Sequence, residues 1–335
     1  MRVVLLPGDG IGAEVVAEAG KALAAVAPDV ETAEHLIGFE AIAQEGEALP
    51  AATLAACEES DGVLLGAVGA GDYTWSASNP EDGMFALRRA LDVYANLRPF
   101  RAGEVDLLIV RELVGGLYFG ERGRRADGTV FDTCEYRPDQ VERALRRGFE
   151  LARSRRGRLT SVDKANVLAT SRLWRERAIA LAAEYPDVDL DHLLVDTAAM
   201  RLVQAPASFD VIVTENTFGD ILSDVAAAVA GGLGVAASAS LGDAGPGLFE
   251  PVHGTAPDIA GQGVANPTAA IRSVAMLLEH GLDRPAAAAR LDAALDRAAA
   301  NVRTPDQGGA ATTAEFGDAV VAALAADAPQ ELADA

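Results

Sequence analysis

Short apolar runs recur along the chain, and between them the apolar positions fall into helical spacing. VVLLP at 3–7 reads as a buried strand, followed by a GDGIG turn and an amphipathic helix through about Ala25. Further runs at 62–68, 105–110, 159–162, 192–195 and 209–213 alternate with segments of helical period near 51–59, 84–95, 138–155, 171–185 and 217–230. Strands alternating with helices predict an α/β fold. Segment 115–136 breaks the rhythm with glycines, aromatics and β-branched residues, which predicts an antiparallel hairpin or arm of the kind that serves dimerisation. The Ala/Asp-rich tail after Leu324 is expected to fray.

With 335 residues the chain is long enough for two domains, or one large unit with a deep cleft. A hydrophobic share of 50% with 23% charged residues is globular, neither disordered nor fibrous, and the uncharged stretch 226–242 is too glycine-broken and too weakly hydrophobic to span a bilayer. The charge changes the picture most. Lys+Arg 28 against Asp+Glu 50 leaves −22, a field that repels nucleic acid and anionic membrane surfaces, so neither is an expected partner. The sequence holds two lysines, Lys21 and Lys164, and an acidic, lysine-poor chain suits a cytoplasm of molar salt, where such repulsion is screened. Two cysteines make no disulfide framework, and the N-terminal apolar run breaks at Pro7-Gly8 without a signal peptide's pattern, so a reducing cytoplasm is the expected location.

Several constellations carry candidate chemistry. GDGIG fits a dinucleotide fingerprint (Gly8, Gly10, Ala13, with Glu31 as ribose acid) only weakly, and equally fits a tight strand-to-helix turn. Asp220 and Asp224 are spaced i,i+4 near a helix start, where like charges repel. A divalent cation with oxygen ligands would hold them, with Asp196 as a third ligand; a solvated acidic face is the alternative. Glu81, Met84, Phe85 and Arg88 form one helical stripe, and Arg98 and Arg111 follow at or near strand ends, giving three arginines suited to bidentate capture of carboxylates. Lys164 survives where arginine has replaced nearly every lysine, and an ammonium that must cycle its proton cannot be replaced by arginine. Tyr118 is the candidate phenolic acid, and the glycine- and proline-rich loop 247–267 offers backbone amides to a cofactor.

In order and near-correct spacing, LPGDGIG, ANLRP, IVRELVGGLYFG, SVDKANVL, ENTFGDILSD and EPVHGTAPDIAGQGVANP resemble motifs of the isocitrate/isopropylmalate dehydrogenase family, the metal-dependent decarboxylating β-hydroxyacid dehydrogenases. The resemblance implies a two-domain α/β fold that is not a Rossmann domain, with residues 1–93 plus 231–335 as the cofactor-binding domain and 94–230 as the substrate, metal and dimerisation domain. It implies Arg88, Arg98 and Arg111 as carboxylate binders, Tyr118 and Lys164 as the acid/base pair, and Asp196, Asp220 and Asp224 as ligands of Mg²⁺ or Mn²⁺, Asp196 also touching substrate. Lys164 and Asp196 would enter the site from the partner of a homodimer, or of a tetramer built from dimers. Glu81, Met84 and Phe85 stand where an apolar pair meets the substrate's side chain, which points to NAD-dependent oxidative decarboxylation of 3-isopropylmalate in leucine biosynthesis. Homoisocitrate, isocitrate and tartrate or D-malate are the alternatives. Glu250, His253, Gly254, Thr255, Ala256, Asp258 and Asn266 would form the adenosine site, Asp258 favouring NAD over NADP by repelling a 2′-phosphate.

Overall fold

The computed structural model describes residues 1–69 and 79–326. In chain order the first half runs β1 (Arg2–Gly8), α1 (Gly12–Val26), β2 (Glu31–Glu34), α2 (Phe39–Glu45), α3 (Ala51–Glu58), β3 (Gly62–Ala67), α4 (Pro80–Ala90), β4 (Ala95–Ala102), β5 (Val105–Glu112), β6 (Arg122–Arg124), β7 (Val130–Asp132) and α5 (Pro138–Arg153). The second half runs β8 (Arg158–Asp163), α6 (Ala169–Ala182), β9 (Asp189–Leu194), α7 (Val195–Gln204), β10 (Val211–Thr214), α8 (Asn216–Val229), β11 (Ala237–Leu241), β12 (Gly247–Pro251), α9 (Thr268–Met276), α10 (Pro285–Asn301) and α11 (Thr313–Ala326). The class is α/β, as the alternation predicts. No helix among the described residues is long and apolar enough to cross a membrane.

The chain forms two compact units, one of Met1–Leu91, Gly234–Ala239 and the segment from Ala244 on, the other of Asp92–Leu233 with Ser240–Asp243. In the first, β1 pairs in parallel with β2 and β3, and β12 in parallel with β3. β3 is buried at every position, as a parallel strand covered by helices on both faces must be. In the second, β4 and β5 form an antiparallel hairpin closed by Gly103-Glu104, and β5, β10, β8 and β9 continue as parallel neighbours. Ile109, Val110, Val211, Ile212 and Val213 at its centre are fully buried.

The predicted helix at 84–95 needs correction. It ends at Ala90, Asp92 takes a positive φ of 46°, and Ala95 opens β4. The run at 192–195 is likewise divided, since β9 stops at Leu194 and Val195 starts α7. The hairpin expected within 115–136 is present as β6 paired with β7. β2 (ETAE) and β11 (ASASL) carry too little apolar signal to announce themselves. The tail expected to fray falls mostly at 327–335, outside the described residues.

The GDGIG turn is a structural joint. Asp9 is buried and its carboxylate accepts the backbone N–H groups of Phe39 (3.1 Å), Glu40 (3.1 Å) and Gly69 (2.9 Å). Gly10 has φ 58°, and a Cβ there would run into the Thr255 carbonyl group, while the Ile11 N–H donates to the Thr255 oxygen at 2.9 Å. Lys21 is also structural, bridging Glu18 at 2.6 Å and Asp318 at 2.8 Å. Gly10→Ala is expected to lower stability by about 2–4 kcal/mol, combining left-handed strain with a backbone collision. Urea unfolding of the variant and wild type measures this; equal midpoints would show that the turn has room to shift.

Candidate active site

The second unit builds a charged group on one hairpin and one helix. Asn96 lies opposite Arg111 across the β4–β5 hairpin, and Arg98 two residues further along β4 shares that face because side chains alternate with period two. α8 presents Asn216, Asp220 and Ser223 along one stripe toward these arginines. Glu215 caps that helix, its carboxylate accepting the Phe218 N–H at 2.7 Å. Gly219 permits the close approach, since a Cβ at this position would lie 2.7 Å from both Cβ and Cγ of Arg111.

Within this group Arg111 Nη1 pairs with Asp220, and Arg98 Nη2 lies 3.6 Å from the same carboxylate. Arg98 Nη1 donates to Ser223 Oγ at 2.6 Å. The Tyr118 hydroxyl donates to the other Asp220 oxygen at 3.1 Å, and the Arg111 guanidinium sits over the Tyr118 ring at 5.8 Å. Burial, and then the charge of Asp220, push the Tyr118 phenol above its usual value, so it stays protonated and able to donate. Partial burial raises the Asp224 carboxyl as well; Asp220 adds to the rise, and Arg98 and Arg111 oppose it. Two carboxylates one turn apart, one of them held above the usual range, are an oxygen donor set that a hard divalent cation would complete.

Tyr118 stands on a single 3₁₀ turn, Gly116–Tyr118, whose approach is fixed by Glu112. That carboxylate is fully buried and accepts the N–H groups of Val114 (3.1 Å) and Gly115 (2.9 Å). Desolvation pushes it up to about 7. Lys164 follows β8 in a tight turn held by Asp163, which is 1% exposed, accepts the Ala165 N–H at 2.8 Å and receives Arg175 through Nε (2.8 Å) and Nη2 (3.0 Å). Lys164 Nζ pairs with Asp196 in the first turn of α7, and this ion pair holds the Asp196 carboxyl below the usual range.

The sequence-predicted residues therefore fall into separate sets in the second unit. Arg98, Arg111 and Tyr118 gather on Asp220, with Asp224 one turn along α8, whereas Lys164 meets Asp196. Among the described residues no three Asp, Glu, His or Cys side chains stand close enough to hold a metal ion within one chain. In the first unit, Glu81, Met84 and Phe85 are half-buried on α4, and Arg88 Nη2 pairs with Glu250 at 2.7 Å, both side chains buried. A residue expected to hold substrate and one expected to hold cofactor are thus one ion pair. His253, Gly254, Thr255 and Ala256 follow β12 in a loop where Ala256 has φ 38°. His253 Nδ1 faces the Gly254 carbonyl at 2.9 Å, while the buried Nε2 has no partner among the described residues, an opening that a ligand's polar group would fill. Burial lowers the His253 pKa and keeps the ring neutral. Asp258 is exposed, and Asn266 is held between Asp306 (2.9 Å) and the Thr268 N–H (3.0 Å). Sequence reasoning missed Asn96, Asn216, Ser223, Asp163, Arg175 and Asp306; their one signal was polar residues embedded in otherwise apolar or motif-bearing segments.

The chain belongs to the isocitrate/isopropylmalate dehydrogenase family, whose model matches residues 2–320. Among its relatives are 3-isopropylmalate dehydrogenases of Zymomonas mobilis, 50% identical with 97% of this chain and 100% of that protein covered, and of Deinococcus radiodurans, 51% identical with 96% and 97% covered. Solved structures of similar shape include an isocitrate dehydrogenase from Methylococcus capsulatus, with TM-score 0.90, 37% identity and coverage of 96% of this chain and 99% of that one. Another is a beta-decarboxylating dehydrogenase from Thermococcus kodakarensis, with TM-score 0.82, 36% identity and coverage of 97% and 96%.

The raised Glu112 gives a pH signature. A carboxyl whose folded pKa lies above its unfolded value of 4.5 costs nothing when both states are protonated, and it weakens the fold as pH rises from 4.5 to about 7. Relative to Glu112→Gln, the wild type is expected to lose on the order of 2 kcal/mol between pH 5 and pH 8. Urea midpoints of both proteins at the two pH values check this, and a constant difference between them would remove the claim.

Proposed function

We propose that this chain catalyses the NAD-dependent oxidative decarboxylation of 3-isopropylmalate to 4-methyl-2-oxopentanoate and CO₂, a step of leucine biosynthesis. The observation that carries the reading is Arg98, Arg111 and Tyr118 converging on Asp220, in a chain about 50% identical over nearly its whole length to proteins named 3-isopropylmalate dehydrogenase. Met84 and Phe85 support the choice of substrate, as they offer apolar surface and no donor for a third carboxylate, which isocitrate or homoisocitrate would require.

In this reading Arg98 and Arg111, with Arg88, bind the two carboxylates and orient the C2 hydroxyl. Asp220 and Asp224, with the partner's Asp196, would hold Mg²⁺ or Mn²⁺, and the loop from His253 to Ala256 with Glu250, Asp258 and Asn266 would hold NAD. When bound, NAD would supply a hydride acceptor and the cation a Lewis acid. Lys164 serves as base for the hydroxyl proton, with Asp196 beside it as its charge partner. After the β-carboxylate leaves as CO₂, Tyr118 delivers its proton to C3, and its raised pKa keeps that proton available at neutral pH. Solvent then restores both groups.

A homodimer follows from the same reading. Met200 and Val203 on α7 and Ile221 on α8 are exposed at 54%, 64% and 56%, and a second copy covering this face removes that apolar surface from water. Each subunit then lends Lys164 and Asp196 to the other's site.

An assay of NADH release over 3-alkylmalates, D-malate, isocitrate and homoisocitrate tests the substrate: 3-isopropylmalate is expected to give the highest kcat/KM, and only with Mg²⁺ or Mn²⁺ present. A higher value for isocitrate would overturn the assignment. Lys164→Arg is expected to keep its oligomeric state by sedimentation while kcat falls on the order of 10²–10⁴-fold. Near-normal turnover would reduce Lys164 to a charge partner of Asp196.

A further inference from the structure

Both arginines that face Asp220 are gripped from behind by amides. Asn96 is fully buried; its Oδ1 accepts Arg98 Nε at 2.7 Å and its Nδ2 donates to Ser240 Oγ at 2.9 Å. Asn216 is also fully buried, with Oδ1 accepting from Arg111 Nε (2.9 Å) and Nη2 (2.7 Å) and Nδ2 donating to the Gly115 carbonyl at 2.9 Å. Elsewhere in the same unit Arg172 Nε donates to the Ala165 carbonyl at 3.1 Å, while two other arginines are held by carboxylates. Arg155 Nε goes to Asp210 at 2.9 Å and Arg175 Nε to Asp163 at 2.8 Å, both buried carboxylates. In a chain with 50 acidic residues, both site arginines thus meet a side-chain amide at Nε and not a carboxylate.

We propose that Asn96 and Asn216 are positioning residues for substrate binding, aiming the Arg98 and Arg111 guanidiniums through neutral acceptors so that both keep their charge for a dicarboxylate. The inference rests on the reading of these arginines as carboxylate binders. A carboxylate in place of either amide would orient its guanidinium equally well, yet it would place a fixed counter-ion beside a charge the substrate has to meet. Desolvation magnifies the difference, because a buried counter-ion is weakly screened. Asp220 also approaches both arginines, but it is assigned to the divalent cation.

Asn96→Asp isolates the charge. It keeps an acceptor for Arg98 Nε, and the Ser240 hydroxyl can rotate from accepting to donating, so the shape is retained while one negative charge is added. The expected result is a KM for 3-isopropylmalate raised about tenfold or more, with kcat changed less than about threefold and KM for NAD less than about twofold. Asn96→Ser, neutral and too short to reach Arg98, should raise the same KM about three- to tenfold, and it decides the matter if the Asp variant does not fold. Folded variants whose substrate KM stays within about twofold of wild type overturn the proposal, as do variants in which kcat and both KM values shift together as in general destabilisation. Arg98→Gln is measured in parallel. An unchanged KM in that variant would sink the substrate-site reading itself, whereas a raised KM there with unchanged values in both Asn96 variants would sink the positioning role alone.

Discussion

Two guanidinium groups buried on the face of one hairpin set the terms for the rest of the second unit. Arg98 and Arg111 are only 6% and 2% exposed, so every donor turned inward needs an acceptor and each charge needs a nearby opposite. Asn96, Asn216 and Ser223 supply the acceptors, and Asp220 supplies the charge. Satisfying them fixes α8 against β5, which explains a glycine at 219, a buried asparagine at the helix start and a capping Glu215. The same packing fixes Tyr118, since its hydroxyl shares Asp220 with the arginines.

The two halves of the proposed chemistry are supported by different means. The arginine and phenol side rests on buried hydrogen bonds between β4, β5 and α8, and Glu112 adds a carboxylate kept near its titration point by desolvation. The lysine side rests on a turn. Asp163, clamped by Arg175, pins the backbone on either side of Lys164, whose own carbonyl accepts the N–H groups of Val167 and Leu168 at 2.9 Å. Lys164 and Asp196 remain partly open to solvent at 27% and 63% of their side chains, as groups offered to a second copy would be. Rigid first group and presented second group are complementary requirements of a shared site.

Much of this was legible in the sequence because it is written in local periodicity. Parallel strands such as β3 and β10 are continuous apolar runs, and the i,i+4 spacing of Asp220 and Asp224 is a helix-face statement. The family motifs carried the candidate residues with them. What escaped was non-local or masked by composition: β4 carries Asn, Arg and Pro among its apolar residues and gave no continuous apolar run, and β2 and β11 are made of polar or small residues whose strand state is imposed by their neighbours. Asn96 and Asn216 were unreadable as a pair because their shared role depends on a hairpin register and on a helix more than a hundred residues away. The Arg88–Glu250 ion pair, spanning 162 positions, is invisible for the same reason.

The hairpin also bears on how the molecule assembles. Asn96, Arg98 and Arg111 are brought to one face by a connection of two residues, Gly103 and Glu104, so their alignment requires only a short loop to close. Their acidic counterparts on α8 arrive through β10, whose parallel pairing with β5 closes about a hundred residues of chain and is correspondingly slow. The positive half of the site thus rests on a local pairing and the negative half on a long-range one.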